Sequence, residues 1–147
     1  MTEEELNKLF KKFLETDFLK TPLFYGPKEN FFSKSKSLSN TVFNLMSGNI
    51  TIEKGAFFGH NCCVITGSHD YTKFNGHRKN TIPKDKNHIH IKTGVWIGTN
   101  ATILGPCTIG DHSVIAAGSV LLPGEYDSYT VYGGVPAKKL KTITQNS

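Results

Sequence analysis

Arginine, tryptophan, methionine and cysteine are all scarce in this chain of 147 residues, and it has no long apolar run. The one arginine, Arg78, stands against sixteen lysines. Readers of nucleic acid lean on the planar arginine fork for bidentate contacts to bases and phosphates, so a nucleic-acid partner is not expected. Cys62, Cys63 and Cys107 are odd in number and two are adjacent, which excludes a disulfide framework and a C-x-x-C metal or redox site. Nothing approaches the roughly 20 apolar residues that span a bilayer, so no membrane span is expected. The start, Met1-Thr2-Glu3-Glu4-Glu5, is acidic where an export signal is basic and then apolar; a cytoplasmic setting is expected. The length suits one compact domain, and the net charge of +5 is spread along the chain, a weak pull toward an anionic ligand.

A repeat fills most of what is present. Ile91, Ile97, Ile103, Ile109, Ile115 and Leu121 follow one another at six-residue steps, and four positions after each of the first five stands Val95, Ala101, Cys107, Ser113 or Ser119. The pattern recurs upstream at Ile52 with Ala56, Phe58 with Cys62 and Val64 with Ser68, with Met46 and Ile50 as a looser first unit. Six is neither the helical 3.6 nor a simple alternation; it fits short strands separated by turns at fixed spacing. Three such units close one triangular coil, and stacked coils place each aliphatic residue on its predecessor with small residues at the corners. A sandwich or barrel would show turn signals every 8–12 residues or so. Here Gly98, Gly110, Gly118 and Gly105-Pro106 fall at the repeat junctions instead, and the expected fold is a parallel β-helix.

Leu6, Leu9, Phe10, Phe13, Leu14 and Phe18 lie at helical spacing behind Thr2, with Glu5 three positions on as in a capping box, so residues 2–20 predict an amphipathic helix. It is expected to cap the N-terminal end of the prism. Residues 1–36 are then the helix and its connection, and 37–147 the β-helix domain. Residues 70–90 break the period with twenty-one residues rich in Lys, Asn and His and predict a projecting loop. Residues 127–147 end the repeat, and the run from Gly133 to Leu140 is expected to turn the tail back on the last coil.

Four features together resemble the hexapeptide-repeat acyltransferases: the six-residue spacing, Val64-Ile65-Thr66-Gly67-Ser68-His69 before the insertion, Val95-Trp96-Ile97-Gly98 after it, and Gly133-Gly134-Val135-Pro136-Ala137 near the end. The likeness is to the branch of galactoside and maltose O-acetyltransferases and acetyltransferases of polysaccharide biosynthesis, and covers roughly residues 40–141. It implies an all-β fold with an N-terminal helix, a left-handed parallel β-helix with one projecting loop. It also implies a homotrimer, acetyl-CoA as donor, active sites shared between neighbouring prisms, and no metal. Handedness, trimer and donor come from the resemblance alone.

Acyl transfer from a thioester needs a base for the acceptor's proton and a donor for the developing oxyanion. By the resemblance His69 is the base, with Asp70 in reach to orient the imidazole, and the Thr99 backbone N–H is the oxyanion donor. Asn44 matches a position near the acceptor hydroxyl. Gly98, Thr99 and Ala117 match the turns along the coenzyme arm, and Lys138 and Lys141 match basic positions toward its phosphates. Trp96 lines that groove or packs at a corner, packing being the plainer reading; Cys62 and Cys107 are expected to be buried thiols. The resemblance implies O-acetylation of a saccharide. An N-acetyltransferase of an aminosugar or other small amine is the alternative. More remote are a γ-class carbonic anhydrase, for which His69, His88, His90 and His112 are the imidazoles on offer, and a β-helix protein without catalysis.

Overall fold

The computed structural model describes residues 1–15 and 21–146. Short strands form the three walls of a triangular prism. The first wall stacks β1 (Leu23–Tyr25), β3 (Val42–Asn44), β6 (Cys63–Ile65), β9 (Thr102–Leu104) and β12 (Val120–Leu121). The second stacks β2 (Phe31–Ser33), β4 (Ile50–Ile52), β7 (Ile89–Ile91), β10 (Cys107–Ile109) and β13 (Gly124–Tyr126). The third stacks β5 (Phe57–Phe58), β8 (Trp96–Ile97), β11 (Val114–Ile115), β14 (Thr130–Gly133) and β15 (Lys138–Thr142). Every pairing is parallel except β14 with β15, where the tail turns back antiparallel as expected. The chain is a left-handed parallel β-helix with one projecting loop.

Period dictates packing. Trp96 pairs with Val114 and Thr102 with Val120, 18 residues apart, which is one coil of three hexapeptides. Ile91, Ile97, Ile103, Ile109, Ile115 and Leu121 are all fully buried, with Val95, Ala101, Ser113 and Ser119 beside them. Corners turn through left-handed residues that stack in two columns: Asn61, Asn100 and Gly118 at φ 54°, 60° and 72° between the third and first walls, and Gly55, Gly94 and His112 at 78°, 67° and 57° between the second and third. Asn and Gly meet the demand for positive φ at little steric cost.

Four expectations shift. Strands β1 and β2 precede residue 37 yet pair with β3 and β4, so the β-helix begins at Leu23 and the 1–36 segment contributes part of its first coil. Met46 is exposed, and Phe43, Leu45 and Ile50 fill the interior in its place. Ser68 is exposed too: the chain leaves the coil after Ile65, and the buried residue there is Thr66, whose Oγ1 donates to the Asn44 carbonyl (2.8 Å) and accepts the Ser47 N–H (3.1 Å). At the other end of the loop the coil resumes at Ile89, buried on β7, rather than after His90.

The helix α1 runs Glu3–Leu14, and its capping box is present: the Glu5 N–H donates to Thr2 Oγ1 (3.1 Å) and the Thr2 N–H to Glu5 Oε2 (2.7 Å). It buries no residue of its own, so it is not the plug expected for the prism. That end of the prism is filled instead by rings from the strands of the first two coils, Phe24 and Phe31 of the first and Phe43 and Phe58 of the second, at successive centroid distances of 4.8–5.8 Å. Phe18 and the end of the expected helix lie outside the described residues. No helix among the described residues is long and apolar enough to cross a membrane.

Cys62 and Cys107 are buried as expected. Burial pushes the Cys107 thiol up to about 12 and raises that of Cys62, because a thiolate inside the prism would lose its hydration. At pH 8 both are therefore protonated as well as shielded. Neither is expected to label with a disulfide reagent in the native protein, and both are expected to label in urea; rapid native labelling of Cys107, read by peptide mass spectrometry, would contradict the burial described.

Candidate active site

The outward row of the third wall runs Phe57, Trp96, Val114, Val131 and Lys141 in register. Alternation of side chains across a strand puts each one residue away from an inward neighbour, as Trp96 is from Ile97. Phe57 and Trp96 stack at 5.9 Å with their planes 10° apart, so Trp96 is a surface ring rather than a corner filler. Beside this row a groove of about 520 Å³ runs along the corner between the third and first walls, lined also by His60, Gly98, Thr99, Ala116 and Ala117.

Close stacking shapes that corner. A Cβ on Gly98 would stand 2.6 Å from the Ala117 nitrogen and 2.7 Å from the Ile115 oxygen, so only glycine lets the two coils approach there. The Gly98 N–H is bonded to the Ile115 carbonyl (2.8 Å), and the Thr99 carbonyl accepts from the Gly118 N–H (2.8 Å). Thr99 Oγ1 accepts the His60 N–H (3.3 Å). No acceptor among the described residues takes the Thr99 N–H. A backbone donor without a partner beside an open groove is available to an outside carbonyl oxygen.

The second cluster occupies a different corner, between the first and second walls, where the loop leaves. Gly67 rests against the Asn44 side chain, with its Cβ position 2.7 Å from Nδ2. Asn44 Oδ1 accepts the Met46 N–H (3.0 Å), which fixes the amide at the foot of the loop. Asn87 Nδ2 closes that foot by donating to the Thr66 carbonyl (2.9 Å). His69 stands two residues beyond Gly67 and lines a hollow of about 420 Å³ with Phe74, Asn75, Gly76, Arg78 and Lys79. Asp70 does not orient the imidazole: its Oδ1 accepts from the Thr72 N–H (3.0 Å) and hydroxyl (2.6 Å), and these bonds hold its carboxyl below the usual range.

Gly98, Thr99 and Ala117 thus share one groove, and Asn44 and His69 sit at the other corner. The first wall separates them, and no residue lines both hollows. Lys141 extends the outward row past Val131 and Lys138 faces Gly133, both exposed on β15. Phe57 and His60 join the groove without having been expected. The signal was there: Phe57 pairs with Trp96 at a separation of 39, one coil of 18 plus the 21-residue insertion, and His60 bonds Thr99 at the same separation. Arg78 and Lys79 carry no such signal, because nothing periodic places a residue inside the insertion.

The imidazoles weighed for a metal lie apart. His88 Nδ1 accepts the Asn49 N–H (2.9 Å), His90 Nε2 meets Glu53 (3.2 Å), and His112 packs on Tyr129 (5.3 Å between centroids). Among the described residues no group of His, Cys, Asp and Glu is placed to hold a metal ion.

Comparison with known proteins follows the same lines. Residues 88–123 match the family model for the bacterial transferase hexapeptide (six repeats). The galactoside O-acetyltransferase of Lactococcus lactis is 26% identical over 132 residues, 88% of this chain and 62% of that protein. A Schizosaccharomyces pombe protein with an acetyltransferase name is 32% identical over 121 residues, 81% of this chain and 55% of its own length. The chain thus spans about three fifths of the curated relatives it matches. A hexapeptide-repeat acetyltransferase of Vibrio cholerae, solved with acetyl coenzyme A, superposes with a TM-score of 0.58 at 26% identity, over 99% of this chain and 80% of that one. The repeats in 88–123 and the coils they build make the chain similar to the bacterial transferase hexapeptide proteins over that stretch.

Proposed function

We propose that the chain transfers the acetyl group of acetyl-CoA to a hydroxyl of a saccharide, at a site assembled from two neighbouring copies in a homotrimer. One observation carries this reading: an unpartnered peptide N–H beside a groove at one corner of the prism, and an imidazole beside a hollow at the next corner. Within one chain the first wall keeps them apart. Its outer rows are largely apolar, with Leu23, Val42, Cys63 and Val120 in one and Tyr25, Ile65 and Leu104 in the other, and Leu23 and Tyr25 are more than half exposed. Burying that wall against a second prism removes apolar surface from water and sets the His69 corner of one copy beside the Thr99 corner of the next. The L. lactis relative bears a galactoside O-acetyltransferase name, and the V. cholerae structure holds acetyl coenzyme A, which supports the class of reaction.

The groove fits such a donor. Phe57, Trp96 and Val114 offer an apolar floor for a pantetheine arm, Gly98 lets the backbone come close, Ala117 keeps the rim low, and Lys138 and Lys141 lie beyond for phosphates. When bound, the thioester supplies the acyl group and a good leaving group. His69 takes the proton from the acceptor hydroxyl as its oxygen bonds to the carbonyl carbon. The Thr99 N–H holds the developing negative charge on the carbonyl oxygen. As the carbon–sulfur bond breaks, the imidazolium returns the proton to the departing thiolate. Asn44 is placed to position the acceptor hydroxyl from the foot of the loop, and Asp70 shapes the loop beside it. An amine acceptor would use the same groups, so an aminosugar belongs in the acceptor panel.

Loss of a positioned general base removes about 10²–10⁴ in rate. His69→Ala is accordingly expected to abolish thiol release at that scale in a coupled assay while titration calorimetry still detects acetyl-CoA; unchanged turnover would remove the mechanism. Lys141→Gln is expected to raise KM for the donor several-fold with little change in kcat, since a contact kept in ground and transition states alike acts on binding. Light scattering should give three times the 16.3 kDa chain mass, and a stable monomer with full activity would end the shared-site proposal.

A further inference from the structure

We infer that the acceptor is an anionic saccharide, bearing a phosphate or carboxylate that Arg78 and Lys79 hold in the hollow beside His69. This rests on the acyl-transfer reading above and names the substrate class of that site. The 70–90 insertion carries five cations, Lys73, Arg78, Lys79, Lys84 and Lys86, against Asp70 and Asp85. The insertion thus carries a local net charge of +3 within a chain whose cations otherwise run along its length, and part of it shares a hollow with the candidate base.

Arg78, the chain's only arginine, is held in place before any ligand arrives. Its Nε donates to the Lys73 carbonyl (3.0 Å), its Nη2 to the Tyr71 carbonyl (3.0 Å), and the guanidinium lies over the Phe74 ring at 5.3 Å. Two of its five N–H groups are engaged in this way, and the other three are open. Among the described residues no carboxylate pairs with it. The ion pairs among the described residues join Glu53 to Lys34 and His90, none of which lines this hollow, and the Asp70 carboxylate is bonded to Thr72 with Lys73 as its charged neighbour. Lys79 lines the same hollow, and its ammonium is in none of the ion pairs among the described residues.

The lining is rich in donors and poor in acceptors. Of His69, Phe74, Asn75, Gly76, Arg78 and Lys79, only the Asn75 amide and an imidazole nitrogen provide side-chain acceptors. A neutral sugar presents hydroxyls that donate as well as accept, and the side chains here offer few acceptors to match them. Phosphate or carboxylate oxygens only accept, and a fixed guanidinium meets them with two parallel bonds. Exposed aromatic rings at Phe74 and Tyr71 remain for an apolar sugar face.

The test uses the full-length protein with matched acceptors: glucose, glucose 6-phosphate and glucuronate. Thiol release is expected to show kcat/KM about 10- to 100-fold higher for a charged member than for glucose, the scale of a charge-assisted hydrogen bond. The phosphate and carboxylate arms decide which anion is meant. Arg78→Gln should erase that preference, and Lys79→Gln, which disturbs no loop contact, should reduce it several-fold; so should raised ionic strength. Equal kcat/KM for glucose would overturn the inference. So would a variant that keeps the preference but weakens acetyl-CoA binding in calorimetry, because the cations would then serve a neighbour's donor phosphates. Titration of glucose 6-phosphate followed by the His69 imidazole proton resonances separates the two levels. Binding lost in Arg78→Gln, with no thiol release from any acceptor, would sink acyl transfer and leave the anion site standing; release from glucose with no such binding would do the reverse.

Discussion

Every feature of this molecule depends on the hydrogen-bond ladder between successive coils. Parallel strands paired in register fix a repeat of 18 residues, and any side chain must then sit directly over the residue one coil earlier. Inside the prism this forces an aliphatic column, since a charged group in that column would face only hydrocarbon. Outside it lays similar positions in straight rows, such as Phe57, Trp96, Val114, Val131 and Lys141. The groove follows from the ladder: Gly98 lets two coils meet closely at this corner, and the Thr99 N–H beside it finds no acceptor among the described residues.

The same ladder explains how an insertion of 21 residues is tolerated without disturbing the core. The chain leaves after Ile65 and returns at Ile89, and the pairings on either side keep register, with Cys63 on Thr102 and Ile50 on Ile89. The foot is locked by Thr66, Asn44 and Asn87 through bonds of 2.8–2.9 Å, so loop and prism are joined at one rigid point. His69 stands close to that point. It inherits the position of the scaffold while the residues that follow it are free of the period.

How much of this is legible in sequence follows from the same division. Residues under the ladder announce themselves: the six-residue spacing of Ile91 to Leu121 predicts the buried column position by position, and Cys62 and Cys107 fall into it. The first coil is hidden because its steps are irregular; Phe31 pairs with Ile50 and Val42 with Cys63, neither at 18. Its core is also aromatic, so Phe24 and Phe31 do not resemble the later aliphatic units. Ser68 shows where the period stops carrying information, as its spacing is right but the chain has already turned outward. The helix α1 marks a further limit, since amphipathic spacing reveals an apolar stripe but not what the stripe faces. At the candidate site, Gly98, Thr99 and Ala117 are legible because they lie on the repeat, whereas the guanidinium of Arg78 is placed by two carbonyls and a ring inside the loop.

This division bears on where specificity can reside. A donor groove built from coil corners is tied to the core: a side chain at Gly98 would press on the Ile115 and Ala117 backbone, so that corner resists alteration. The insertion is under no such restraint. Between Asp70 and Thr81 its side-chain bonds are local, Asp70 with Thr72, Arg78 with the Tyr71 and Lys73 carbonyls, Thr81 with the His77 carbonyl, and none enters the aliphatic column. Replacing its charges leaves the prism intact while changing what approaches His69. A fold of this kind therefore holds the shared half of a two-substrate reaction in its repeat and the variable half in its interruption, and the position of the chain's only arginine in that interruption is the physical reason to look there for the acceptor.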